Sequence, residues 1–193
     1  SAQNITYGDN IDIVVTVPEG VEGNVTIKLN DTDGTTITKP IVDGAAVFDD
    51  VVDLAAGNYT VNVTYNGNEI YNINDTESAT FEVSPISPEI KIIDVISTAD
   101  DNATIIVGID PRVAENVTVI INDVPYTAAV DERGIAVITT DVLDYGNYTV
   151  NATYDGDKNF TKDYDIYEFT TNQTDDYLIN ITASDINVGE NTN

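Results

Sequence analysis

The stretch "LAAGNYTVNVTYNG", Leu54 to Gly67, returns almost unchanged as "LDYGNYTVNATYDG", Leu143 to Gly156. Both copies alternate strictly. Tyr59, Val61, Val63 and Tyr65 fall on one side of an extended chain, and Thr60, Asn62 and Thr64 on the other. Alternation with period two is the pattern of a half-buried antiparallel strand, and it excludes a helix, whose faces repeat every 3.6 residues. Tyr59 and Tyr148 are 89 residues apart, too far for a solenoid repeat and close to the roughly 100 residues of one immunoglobulin-like domain. Other pairs agree: "YGDNIDIVVTV" (7–17) with "TADDNATIIVGI" (98–109), and "GNVTIKLND" (23–31) with "ENVTVIIND" (115–123). "VGENTN" (188–193) starts the pattern a third time. The junction falls at "SPISP" (84–88), whose prolines cannot donate to a sheet ladder and stiffen a short linker. The expected division is a first module over 1–86 with an incomplete A strand, a second over 87–176, and in 177–193 the first strand of a further module or a donor strand.

Turn signals at Asp33-Gly34, Asn66-Gly67, Arg133-Gly134 and Asp155-Gly156 separate short alternating runs. Strands are predicted over 11–17, 24–30, 35–39, 45–52, 58–65 and 76–83. In the second copy they are predicted over 89–96, 103–109, 116–122, 124–130, 135–141, 147–154 and 164–171. No helix longer than a turn is expected. The fold class is all-β: tandem immunoglobulin-like Greek-key β-sandwiches. The frame Leu-x-x-Gly-x-Tyr-x-Val, present at Leu54–Val61 and Leu143–Val150, predicts a tyrosine corner at Tyr59 and Tyr148, where a strand-F hydroxyl bonds back to the preceding arch.

That frame, with "TYDGDKNF" (153–160) and its looser partner "TYNGNEIY" (64–71), resembles bacterial and archaeal Ig-like repeats. It is most similar to the Asn/Thr-rich repeats of methanogen adhesin-like surface proteins. The resemblance spans residues 5 to 175. The first module departs from it at Asn68, where the second has Asp157. The motif is structural and brings no catalytic residue with it. It implies a place outside the cell, in long repetitive surface proteins.

Asparagine is a poor strand residue, yet it recurs inside these strands as Asn-x-Thr, the acceptor triplet of N-glycosylation. The acceptors are Asn4, Asn24, Asn30, Asn58, Asn62, Asn74, Asn102, Asn116, Asn147, Asn151, Asn159, Asn172 and Asn180, thirteen of 21 asparagines and several times the chance number. In both copies of strand F they share the face opposite the apolar residues. Two acceptors four residues apart are separated by roughly 13 Å at strand rise, which leaves room for two sugars.

Acidic residues number 34 against seven basic ones, a net charge of −27. That excludes a nucleic-acid surface, which needs cations to displace counterions, and docking on an anionic membrane face. Disorder is excluded by the 41% of hydrophobic residues, which recur in alternating runs. With no Cys and no His, disulfides, Cys–His catalysis and Ser–His–Asp triads are ruled out, and a zinc site is not expected. No apolar run approaches the ~20 residues of a membrane span. Paired carboxylates would need a deep cleft to act as a glycosidase, which a sandwich this small does not offer; no enzyme activity is expected. Calcium is the one cofactor the oxygen donors would suit. The candidates are Asn30, Asp31 and Asp33 in "NDTDG", Asp100 and Asp101 in "STADDN", and the cluster "DYDIYE" (163–168), although Asp-Gly also simply makes turns.

The sequence therefore predicts a non-enzymatic, N-glycosylated, extracellular adhesin-like stalk. The alternatives are a filament subunit assembled head-to-tail by strand donation, and a carbohydrate-binding module using surface tyrosines such as Tyr126 or Tyr167. Expected partners are other copies of the repeat and glycans of host or partner cells. Matching Gly189 to Gly8 leaves "YLINI" (177–181) without an N-terminal counterpart, whereas the second module has one in "EIKII" (89–93).

Overall fold

The computed structural model describes residues 2–71 and 74–172. Among them there is no helix. The first module consists of β1 (Ile5–Thr6), β2 (Ile11–Thr16), β3 (Asn24–Leu29), β4 (Thr36–Pro40), β5 (Ala45–Val51), β6 (Gly57–Tyr65) and β7 (Asn74–Ser84). The second consists of β8 (Lys91–Ile96), β9 (Asp101–Gly108), β10 (Asn116–Ile121), β11 (Val124–Ala129), β12 (Ile135–Leu143), β13 (Gly146–Tyr154) and β14 (Asp163–Thr171). Every predicted strand lies within two residues of an observed one. The exception is β1, absent from the prediction because two residues carry no period; it pairs in parallel with the end of β7.

In the second module a three-stranded sheet, β12-β9-β8, faces a four-stranded one, β11-β10-β13-β14. The chain changes sheet between β9 and β10, between β11 and β12, and between β12 and β13, which is the Greek-key path of an immunoglobulin-like sandwich. The first module has a five-stranded sheet, β1-β7-β6-β3-β4, and beside it only β2-β5 among the described residues. The alternation decides which side chains go inside. Val25, Ile27 and Leu29 of β3, and Val117, Val119 and Ile121 of β10, are fully buried. Each such side chain contributes about 1.5–3 kcal/mol relative to exposure. Phe48 sits in the centre of one core, Tyr154 and Phe160 in the other. Tyr7 packs against both.

The copies differ at the hairpin that follows β3 in the first module and β10 in the second. In the second, Asn122 and Asp123 (φ 49° and 63°) make the whole turn between β10 and β11. Both types tolerate the left-handed region that a two-residue hairpin demands. In the first copy the turn is longer, and Asp31 organises it by accepting the backbone N–H and the hydroxyl of Thr35. Burial opposes ionisation of Asp31, but the hydrogen bonds from Thr35 and Gly34 outweigh it and hold its pKa below the usual carboxylate value.

Candidate functional site

Two regions stand out: the Asn-x-Thr faces of strand F, and the joint between the modules. On β6, Asn58 and Asn62 are exposed while Tyr59 and Val61 are buried. Asn62 lies between Lys28 of β3 and Ser78 of β7, and Asn58 lies opposite Glu82. Both amides stand among polar neighbours on an exposed face. On β13, Asn147 is exposed and its Oδ1 accepts the Thr170 hydroxyl at 2.7 Å. Asn151 differs. It stands between Ile120 and Ile166, is half-buried, and its Oδ1 is buried without a hydrogen-bond partner.

The remaining acceptors divide by what their side chains do. Asn24, Asn116 and Asn172 are exposed. Asn4 and Asn30 are exposed too, with Oδ1 accepting the N–H of Glu82 and of Thr60. Asn102 is exposed, but its Nδ2, the atom a glycan would take, donates to the Thr140 carbonyl. Asn74 opens β7. Asn180 lies outside the described residues.

Asn159 belongs to the joint. Its Oδ1 accepts the N–H of Ala56 across the module boundary at 2.9 Å. Next to it Phe160 is 1% exposed and meets the Tyr7 ring edge-on, with centroids 5.3 Å apart at 80°. Arg112 covers the pair, its Cζ 4.9 Å from the Tyr7 centroid and 5.6 Å from that of Phe160. Asp110 holds the guanidinium in place, accepting Nε at 3.0 Å and Nη2 at 2.7 Å. A planar cation over aromatic rings, oriented by a forked carboxylate bond, is a directional contact. The bonds to Arg112 keep Asp110 below the ordinary carboxylate pKa. Its stabilising contribution is thus complete above ~3.9 and is lost as pH falls through the lower folded value. The linker is held as well. Ile86, between Pro85 and Pro88, donates to the Asn159 carbonyl at 3.1 Å and accepts from Thr161 N–H at 2.8 Å. Ser87 donates to Asp163 at 2.9 Å.

The joint escapes a reading of strand periods because its residues sit in loops and meet across the boundary. One sequence signal points to it. The chain has two arginines, each two residues after an aspartate, at Asp110-Pro111-Arg112 and Asp131-Glu132-Arg133. Both form ion pairs with that aspartate.

Tyr59 donates to the Ala55 carbonyl at 2.7 Å, and Tyr148 to that of Asp144 at 3.0 Å. Each ring stacks on a phenylalanine of the neighbouring strand, Phe81 and Phe169. Tyr59→Phe is expected to cost about 1–2 kcal/mol, because it orphans a half-buried carbonyl. Tyr148→Phe should cost about 0.5 kcal/mol, because Asp144 is exposed and water replaces the bond. Urea unfolding of the two variants checks the ranking.

Asn68 and Asp157 do the same work. Asp157 Oδ1 accepts the N–H groups of Asn159 and Phe160; Asn68 Oδ1 accepts those of Ile70 and Tyr71. The amide adds a bond that a carboxylate cannot make, from Nδ2 to the Glu22 carbonyl at 2.9 Å. The Tyr65 hydroxyl donates to the same Glu22 carbonyl at 2.8 Å, whereas that of Tyr154, its counterpart in the second module, is buried without a partner of normal geometry, and burial, then Asp157, pushes its pKa up.

The calcium candidates are dispersed. Asn30 and Asp31 spend acceptor oxygens on Thr60 and Thr35, Asp33 is exposed, and Asp101 accepts from Asn102 N–H at 2.8 Å. Asp100, with φ 61°, bonds through its backbone to Leu143. Asp163 and Asp165 accept the N–H groups of Ile90 and Ile92. Among the described residues no three or more Asp or Glu side chains converge as a metal-holding group. Tyr126 is half-buried against the second core with its hydroxyl 3.3 Å from Asp141, while Tyr167 is exposed.

No family model matches the sequence, and no curated protein matches it. Solved structures do. A two-domain fibronectin type III segment of chicken tenascin is 14% identical over 89% of this chain and 97% of its own, with a TM-score of 0.47. The amphioxus IgVJ-C2 molecule is 15% identical over 88% of this chain and 99% of its own, with a TM-score of 0.42. A Ca2+-stabilized adhesin that helps an Antarctic bacterium reach out and bind ice is 18% identical over 88% of this chain, with a TM-score of 0.33. This chain spans 45% of that adhesin's length.

Proposed function

We propose that the chain is a stalk segment of an extracellular adhesin-like surface protein, non-enzymatic and N-glycosylated. The observation that carries this reading is the placement of the paired acceptors. Asn58, Asn62 and Asn147 lie on the outer sheet face of their modules, exposed to solvent, with the core on the other side. The work of such a segment is mechanical and steric. The joint of Tyr7, Arg112 and Phe160 limits bending, and the linker bonds of Ile86 limit rotation. A charge of −27 keeps neighbouring rods apart, and glycans shield the strand faces from proteases.

Mass spectrometry of peptides from native material tests it. Added glycan mass is expected at Asn24, Asn58, Asn62, Asn116 and Asn147. Asn102, whose Nδ2 is engaged, and Asn159, half-buried at the joint with its Oδ1 held by Ala56, are expected to be unmodified. Bare peptides at all the exposed sites would sink the reading.

A further inference from the structure

We infer that the first module carries an acceptor groove for a β-strand, and that the strand it takes is the segment 178–182 of a second copy of this chain. The inference rests on the repeat reading above and deepens it into an assembly contact.

The second module shows what such a strand does. There β8 pairs with β9 and lies against β14, closing one side of the sandwich. Just before and within it, Ile90 and Ile92 are each 6% exposed in the core. Their N–H groups donate to the carboxylates of Asp163 and Asp165 on β14, at 3.3 and 2.8 Å.

In the first module β2 and β7 take the places of β9 and β14, and between them is a groove of about 710 Å³. It is lined by Val15, Val17, Val63, Tyr65, Glu77 and Ala79, among others. The pairing registers equate the two sites. Val63 lies opposite Glu77 as Ala152 lies opposite Asp165, so Glu77 holds the position of the carboxylate that caps β8. The core agrees. Val15, Val17, Val63 and Tyr65 are half-buried, whereas their counterparts Val107, Ile109, Ala152 and Tyr154 are buried. Four apolar residues thus keep surface that the second module covers with β8. An apolar slot beside a strand edge is what an added strand fills.

The occupant follows from the alignment of the module starts. Gly8 and Asp100 are equivalent: both have positive φ, and the residue before each donates to the end of the last strand, Tyr7 to Ser84 and Ala99 to Asn172. Matching Gly189 to them sets Ile179 and Ile181 at the positions of Ile90 and Ile92, with Asn180 at that of the exposed Lys91. Leu178-Ile179-Asn180-Ile181-Thr182 has the period, the apolar pair and the polar outer residue that the groove needs.

Reach excludes the same chain as donor. The groove is at the Tyr65 end of β6, the joint at its Gly57 end, and Asn172 at the Gly146 end of β13, beyond the joint. Two strand lengths of about 30 Å each separate them, and the six residues from Asn172 to Leu178 reach about 20 Å. Donation is therefore from one copy to the next. It is head-to-tail, does not close on itself, and builds a line.

The test uses the whole chain. Light scattering coupled to size exclusion is expected to show oligomers that lengthen with concentration. Ile179→Lys with Ile181→Lys should yield monomers that still bind a labelled synthetic 177–187 peptide. Ala79→Trp, which fills the groove, should weaken that peptide at least about tenfold. Melting of both variants shows that each remains folded. The proposal is overturned if the folded tail variant binds no peptide, or if its oligomers persist. Peptide binding without self-association at high concentration overturns the second copy as donor and assigns the groove to a preceding repeat of the same chain. Glycan occupancy is a separate readout, so the stalk reading survives failure here.

Discussion

Replacing Phe160 by alanine is expected to remove about 3–5 kcal/mol from the stability of the second module. The residue is 1% exposed and is shared between its own core and Tyr7 of the other module. Truncation loses the ring's burial and leaves a cavity that the linker cannot fill, because Ile86 is bound on both sides by residues 159 and 161. The internal control is Tyr71. It holds the same loop position, its carbonyl accepting from Asn68 N–H as that of Phe160 accepts from Asp157. Yet Tyr71 is 44% exposed, so Tyr71→Ala should cost about 1 kcal/mol or less. Chemical unfolding of the two variants, followed module by module through tyrosine and amide signals, measures the difference. Equal losses would mean that the joint adds no packing energy. The Phe160 variant should also increase interdomain motion in relaxation measurements, since Arg112 loses one of the two rings it covers.

Gly134→Ala is expected to cost about 3 kcal/mol or more, an unusually large effect for one methyl group in a turn. Gly134 has φ +78°, where any side chain costs roughly 1–2 kcal/mol. A Cβ there would stand 2.1 Å from the Ile109 carbonyl oxygen and 3.1 Å from Pro111 N, so backbone rather than a flexible side chain must move. Ile109 N–H also donates to the Gly134 carbonyl, tying the two loops together. The displaced loop leads directly into Asp110 and Arg112, so the substitution should loosen the joint as well as the fold. Gly34 offers the comparison. Its φ is +64°, and a methyl group added to it would meet nothing within 4 Å. Gly34→Ala should therefore show only the conformational cost of about 1 kcal/mol. If the two glycines respond alike in thermal unfolding, the close approach at Ile109 carries no energy.

The strands, the repeat and the direction of the acceptor asparagines were legible in the sequence because all three are local. A strand alternates every residue, so the burial of Val61 and Val150 implies the outward facing of Asn62 and Asn147, whatever the rest of the chain does. Tyr59 and Tyr148 were legible for a related reason, since their partner carbonyls are only four residues away. What the tertiary structure decided depends on residues far apart in the chain. Asn151 has the same triplet as Asn62, but Ile120 and Ile166 flank it where Lys28 and Ser78 flank the other. Asn102 and Asn159 read as free acceptors until Thr140 and Ala56 are placed against them. Asp163 and Asp165 cap the N–H groups of Ile90 and Ile92, each 73 residues earlier in the chain, a pairing that no local pattern announces. Period and composition state which way a side chain points. Only the packing of loops and strands brought together from distant parts of the chain, up to 103 residues apart, states what it meets there, and that meeting sets the joint, the occupied amides and the groove beside β2.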